Sequence, residues 1–221
     1  MIKIPNLLLA SLPRKSYLAL LPKLSAVNLV FGDVLYEPGE RMREVYFPSL
    51  GMVSLLAVVE GHLALEVGLV GSEGMIGVPL ALGIDASPVR VLVQGEGQAL
   101  RLSKTAFRRS MQTDPFLQQR VHLYIHALLQ QITQTAACNR FHSVGARLAR
   151  WLLMTRDRAG SAEFRMTQRF LSTMLGVRRA SVNDAAADFQ RAVLMSPEGL
   201  LMTPRRTGTD GFFVSLLRRT S

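Results

Sequence analysis

The sequence predicts a mixed α+β chain: an antiparallel, jelly-roll-like β-roll first, one long helix next, and a small domain of short helices last. Three observations predict it. Between Leu29 and Leu102, Val- and Leu-rich runs are separated by turn signals roughly every 8 to 14 residues, the texture of a sandwich or roll. From Asp114-Pro115 apolar residues recur at helical spacing. Beyond residue 139 two short helical patterns flank a glycine, and arginines crowd the same stretch.

The 221 residues suffice for one large domain or two modest ones. Ile4–Leu24 mixes apolar and basic residues around Pro13 and Pro22 and predicts short capping helices. Asn6, Pro13, Arg14 and Lys15 interrupt its apolar stretch, so it is not expected to be a signal peptide. The charge-free run Val45–Val59 carries Pro48 and Gly51 and falls short of the ~18 to 20 residues of a membrane span. In the roll, turns are expected at Gly32-Asp33, Pro38-Gly39-Glu40, Gly51, Glu60-Gly61, Gly71-Ser72-Glu73-Gly74, Asp85–Pro88 and Gly95-Glu96-Gly97.

Asp114 is a natural cap and Pro115 a natural first residue for the long helix. Val121, Ile125, Leu128 and Ile132 form a narrow seam along it. The seam either packs on the β-domain or, more economically for so long a helix between two domains, forms the interface of a homodimer. Asn139–Ser143 is expected to be a hinge. Ser143 can cap the next helix, whose apolar face is Val144, Leu148, Trp151 and Leu152 and which should end near Asp157, before a loop at Ala159-Gly160-Ser161.

Thr167 can cap a helix over Gln168–Leu175, Gly176-Val177 supply a tight turn, and Arg179–Ala192 forms a second helix with Val182, Ala186, Phe189 and Val193 inward. Two short apolar runs flanking Pro197-Glu198-Gly199 predict a β-hairpin, followed by Arg205-Arg206. The whole is a winged helix-turn-helix. The first turn of its second helix offers Arg178, Arg179, Ser181, Asn183 and Asp184. Arg suits guanine and Asn suits adenine in the major groove, while the helix starts at Thr167 and Arg178 offer backbone N–H groups to phosphates, and Gln168 beside Thr167 is a further DNA-binding candidate.

Charge supports that partner. Of the net +10, residues 139–221 hold +8, as 14 arginines against 6 acidic residues. So concentrated an excess is the footprint of a phosphate-backbone binder. Cys138 is the only cysteine, which leaves no intramolecular disulfide or cysteine-rich metal centre and points to a cytoplasmic protein. No enzyme is expected: no nucleophile–base pair stands out, and Gly71-Ser72-Glu73-Gly74 lacks the Lys of a phosphate loop. The other reading is a small-molecule-binding module that acts through a protein partner and touches nucleic acid non-specifically.

The stretches Arg147-Leu148-Ala149-Arg150-Trp151-Leu152-Leu153 and Thr167-Gln168 through Leu175-Gly176-Val177-Arg178-Arg179, in this order of elements, resemble the CRP/FNR family of bacterial transcription regulators. The resemblance implies a cyclic-nucleotide-binding-like roll over 1–112, a dimerisation helix over 113–138 and a winged helix-turn-helix DNA-binding domain over 139–221. It implies double-stranded DNA as partner, with RNA polymerase if the chain activates.

The departures sharpen the expectation. Cyclic-AMP-responsive members carry Gly-Glu-Leu and then Arg-Ser; here Gly77-Val78-Pro79 and Ser87-Pro88 stand in those places, with Arg90 nearby. Gly77, Val78, Ser87 and Arg90 would line an effector pocket, but a cyclic phosphate would lack its positive partner there, so cyclic AMP is not expected. With one cysteine there is no iron–sulfur cluster. His122 and His126 share a helix face without a third ligand, so neither a metal nor another cofactor is expected. Ala180 and Asp184 replace the Glu and Arg of many relatives, which predicts a different operator.

Overall fold

The computed structural model describes residues 6–60, 64–159, 167–192, 194–196 and 199–201; from residue 189 onward it describes the backbone alone. The expectations at Ile4, Gly61, Gly160-Ser161, Val193, Pro197-Glu198 and Arg205-Arg206, and for the Phe189 side chain, lie outside those residues.

Two short helices open the chain, α1 (Leu7–Ala10) and α2 (Arg14–Leu20). The strands β1 (Ser25–Leu29), β2 (Val34–Tyr36), β3 (Glu44–Ala57), β4 (Leu65–Val70) and β5 (Arg90–Ser103) follow. They form one antiparallel sheet in the order β1-β5-β3-β4, with β2 also on β5. The long strands pair from Glu44 with Ser103 to Leu56 with Arg90. This curled sheet encloses Tyr36, Met42, Val45, Phe47, Met75, Ile76 and Leu80.

Gly51 and Gly95-Glu96-Gly97, expected to mark turns, lie instead inside β3 and β5, opposite one another. The ladder slips at Pro48, Leu50 and Met52, where the strands bend. Gly51 has φ +85° there, and a Cβ on it would collide with the Gly95 and Glu96 carbonyls. The glycines admit close backbone approach at a bend, which from sequence alone looks like a chain reversal.

Helix α3 (Lys104–Thr113) leads into α4 (Pro115–Phe141). Asp114 accepts from the N–H groups of Phe116 and Leu117 at 3.0 and 3.2 Å, as the cap-and-proline signal predicts. Asn139, Arg140 and Phe141, expected in the hinge, complete the last turn of α4. None of them breaks a backbone ladder, and the chain turns extended only at His142. Ser143 then accepts from Ala146 N–H at 3.3 Å and starts α5 (Val144–Ala159).

The seam packs in cis. Val121 is wholly buried in the roll's core, Ile125 packs on that core and Leu128 is 8% exposed. Gln131 adds to the attachment by pairing with the backbone of Leu69 on β4, accepting its N–H at 2.7 Å and donating to its carbonyl at 3.2 Å. The roll of the same chain thus covers Val121 and Leu128, while Ile125 and Ile132, the other residues expected at a dimer face, are half-buried.

The last helices are α6 (Gln168–Leu175) and α7 (Arg179–Ala192), and the hairpin is β6 (Leu194–Ser196) with β7 (Gly199–Leu201). A second core joins this domain to the roll: Leu148, Trp151, Leu152, Met174, Leu175 and Val182 pack with Leu56 of β3, and Ala64 and Leu92 lean on it.

Candidate DNA interface

Thr167 accepts from Phe170 N–H at 3.1 Å and so caps α6. At the other end Gly176 has φ +60°, and its N–H returns to the Ser172 and Thr173 carbonyls. That left-handed residue reverses the chain within one step and sets α7 across α6. Arg147 of α5 donates to the Leu175 carbonyl, which holds the end of α6 against the domain core. Sequence reasoning missed this role, since Arg147 carries no local signal beyond a charge on an amphipathic helix.

Thr167, Gln168, Arg178, Arg179, Asn183 and Asp184 are exposed, and Ser181 is half-buried. They come together at the start of α6 and the first turns of α7, while Val182 and Ala185 on the opposite side are buried. The buried pair fixes the helix and leaves its polar side free for base edges and phosphates. Ala186, expected inward, is half-buried; Ala185 takes the core position.

The residues expected in an effector pocket lie on three segments of the roll. Gly77 and Val78 start a tight 3₁₀ turn over Val78–Leu82. Ser87 is buried with its hydroxyl given to the Val89 carbonyl at 2.7 Å. Arg90 holds the Glu37 carboxylate at 2.9 Å. It also lines a groove of about 560 Å³ between the roll and α6, with Phe31, Leu56, Leu92, Thr167 and Phe170. His122 and His126 are exposed on α4, and no cluster of three metal-ligating side chains occurs among the described residues. Among them, too, no helix is long and apolar enough to cross a membrane.

One buried ionisable group escaped sequence reasoning altogether. Glu66 of β4 is 7% exposed and lies where the roll meets α5. Burial pushes its carboxyl up to about 7, against Ser54, Trp151, Arg158 and Arg150, which favour the charged form.

This arrangement defines a helix-turn-helix DNA-binding protein. Residues 146–203 match the Crp-like helix-turn-helix domain. Solved structures share the fold over most of the chain. The c-di-GMP-responsive global regulator CLP of Xanthomonas campestris is 16% identical with a TM-score of 0.69, over 86% of this chain and 99% of that one. FixK2 of Bradyrhizobium japonicum is 13% identical with a TM-score of 0.67, over 78% and 88%. A CRP-family transcriptional regulator of Thermus thermophilus is 20% identical with a TM-score of 0.64, over 77% and 88%. No curated protein matches the chain. Residues 146–203 thus carry a Crp-like helix-turn-helix domain, and the chain shares the fold of regulators of the CRP/FNR family.

Proposed function

We propose that the chain is a cytoplasmic, sequence-specific regulator that reads a two-fold operator as a homodimer, with residues 1–112 as sensor, 113–138 as dimerisation helix and 139–221 as DNA-binding domain. One observation carries the reading: Arg178, just before α7, and Arg179, Asn183 and Asp184 in its first turns are all exposed, while Val182 among them is buried. Two such helices about 34 Å apart would enter successive major grooves. Arg178 and Arg179 would address guanine, Asn183 adenine, and Asp184 the amino group of cytosine. Thr167 and Gln168 would position the domain on phosphates. RNA polymerase would be a further partner if the chain activates.

With the Val121 seam occupied, the dimer would use the solvent side of α4. Phe116, Leu123, Gln130 and Ala137 recur every seven residues there, and Arg120, Ala127, Gln134 and Phe141 follow each by four. Phe116, Leu123 and Phe141 are 54%, 53% and 78% exposed. That is a heptad seam left open for a second copy. The roll's effector is not cyclic AMP in this reading, because Val78 offers no ribose partner and Arg90 is committed to Glu37.

Selection of bound duplexes from a random pool tests the proposal. A recovered two-fold sequence with half-sites one helical turn apart is the expected result. A pool that stays random while binding vanishes with salt would refute it.

A further inference from the structure

Among the described residues Glu66 is the one buried carboxyl group. It sits at a small cavity of about 30 Å³, where Gly68 of the roll, Thr135 and Cys138 of α4, Arg147, Arg150 and Trp151 of α5, and Met174 and Leu175 of α6 converge. The sensor, the long helix and the DNA-binding domain therefore meet around one acid.

Among the described residues no arginine pairs with it directly: Arg158 pairs with Glu73 at 2.7 Å, while Arg150 and Arg147 donate to neutral oxygens, the Thr135 hydroxyl at 3.0 Å and the Leu175 carbonyl, and Arg158 and Arg150 act on it only at longer range. The Trp151 indole N–H is directed at it without meeting full hydrogen-bond geometry, and favours the charged form. From the sheet side only Ser54 of β3 and Gln94 of β5 face it. Ser54 Oγ lies 2.6 Å from Glu66 Oε2 and also touches Gln94 Oε1.

That chain of three groups counts protons. A hydroxyl has one proton, and neither a carboxylate nor an amide oxygen brings another. Both contacts are satisfied when Glu66 is neutral: it donates to Ser54, and Ser54 donates to Gln94. If Glu66 ionises, Ser54 must turn to it. Gln94 must then rotate to offer its Nε2, which is buried and unbonded in this arrangement. The ionised acid would stand without an ion pair in a nearly closed interface, a costly state that opening the interface to water relieves.

We propose that Glu66 is a proton-binding site linking the β-roll to the DNA-binding domain: protonated it keeps α5 docked on the sheet, and ionised it loosens that junction and lowers operator affinity. The second half rests on the regulatory function proposed above. Its direction follows from the docked form, in which the start of α7 is already exposed and held in place, so that loosening adds orientational freedom that DNA binding must remove. Burial places the titration near neutral pH.

Trp151, the only tryptophan of the chain, is the reporter, because it is 5% exposed and lies at the same cavity. Its emission in the full-length, DNA-free protein is followed between about pH 5.5 and 8.5, a window around the shifted carboxyl that also contains histidine titration. The expected result is one transition near neutrality that disappears in E66Q and survives in H62Q, H122Q, H126Q and H142Q. Flat emission in the wild type, or the same transition in E66Q, overturns the site. Thermal melts verify that E66Q is folded.

A duplex recovered from the random pool is then titrated at pH 6 and pH 8 at fixed salt. The wild type should lose affinity between them by at least ~5-fold more than E66Q. Equal losses overturn the coupling. If neither protein discriminates that duplex from random DNA at either pH, the regulatory function fails instead, and the emission result still decides the proton site.

Discussion

Arg179 leans on Gln168: its Nε and Nη2 each stand 3.5 Å from the glutamine Oε1. The first turn of α7 is thus braced by the first turn of α6. A free arginine must surrender much of its rotamer freedom to reach a guanine, and a braced one has surrendered part of it already.

Arg179→Ala should therefore weaken operator binding by about 1–3 kcal/mol and relax base preference at one position of each half-site. Gln168→Ala should weaken it less and at that same position. Competition binding against single-base variants of the selected duplex measures both. A loss spread evenly over all sequences would make Arg179 a phosphate contact.

Gly176→Ala tests the turn. The position needs φ +60°, and an added Cβ would stand 2.8 Å from Leu65 Cδ1 of β4. The left-handed conformation alone costs roughly 1–2 kcal/mol for a residue with a Cβ, and moving Leu65 adds to it. Urea unfolding should show the loss, and a midpoint unchanged from wild type would mean that the turn relaxes freely.

The short helices were legible because their ends carry chemistry. Thr167 caps α6, Gly176 ends it, and the bounds of α6 and α7 fall where those residues predict. Asp114-Pro115 does the same for α4. Where the signal is only the absence of a side chain, the reading failed: Gly51 and Gly95 mark a bend inside paired strands. The Val121 seam was ambiguous for a different reason. Periodicity reveals that a stripe is covered, and the covering surface comes from residues far away in sequence. Glu66 was invisible. In Leu65-Glu66-Val67-Gly68 it occupies what reads as the solvent side of an alternating strand, and helices α4, α5 and α6, from far along the chain, converge over it.

The two faces of α4 should separate in a pair of variants. Leu128→Ala leaves a cavity against the roll and should cost about 2–4 kcal/mol of stability. Leu123→Glu places a charge on the solvent side and should leave the fold intact while raising the dimer dissociation constant. Sedimentation velocity alongside thermal melts distinguishes them. If L128A dissociates the dimer and L123E does not, the partner covers the Val121 side after all.

Glu66 also makes a prediction about stability that needs no DNA. Its folded value of about 7 lies above the ordinary 4.5, so between those values the folded chain holds a proton that the unfolded chain has released. Stability contributed by this group is then complete below about pH 4.5, declines as pH rises through that window and levels off above about pH 7. At 1.36 kcal/mol for each unit of displacement the decline amounts to roughly 3 kcal/mol. Glu66→Gln keeps a neutral amide in the same place and should abolish it. Urea midpoints at pH 5 and pH 8 give the comparison. Because pH 5 already lies above the unfolded value, the wild type should lose about 2.5 kcal/mol more between them than E66Q, whose remaining slope reports the other titrating groups. Equal slopes would mean that the carboxyl is hydrated or paired in solution and titrates normally.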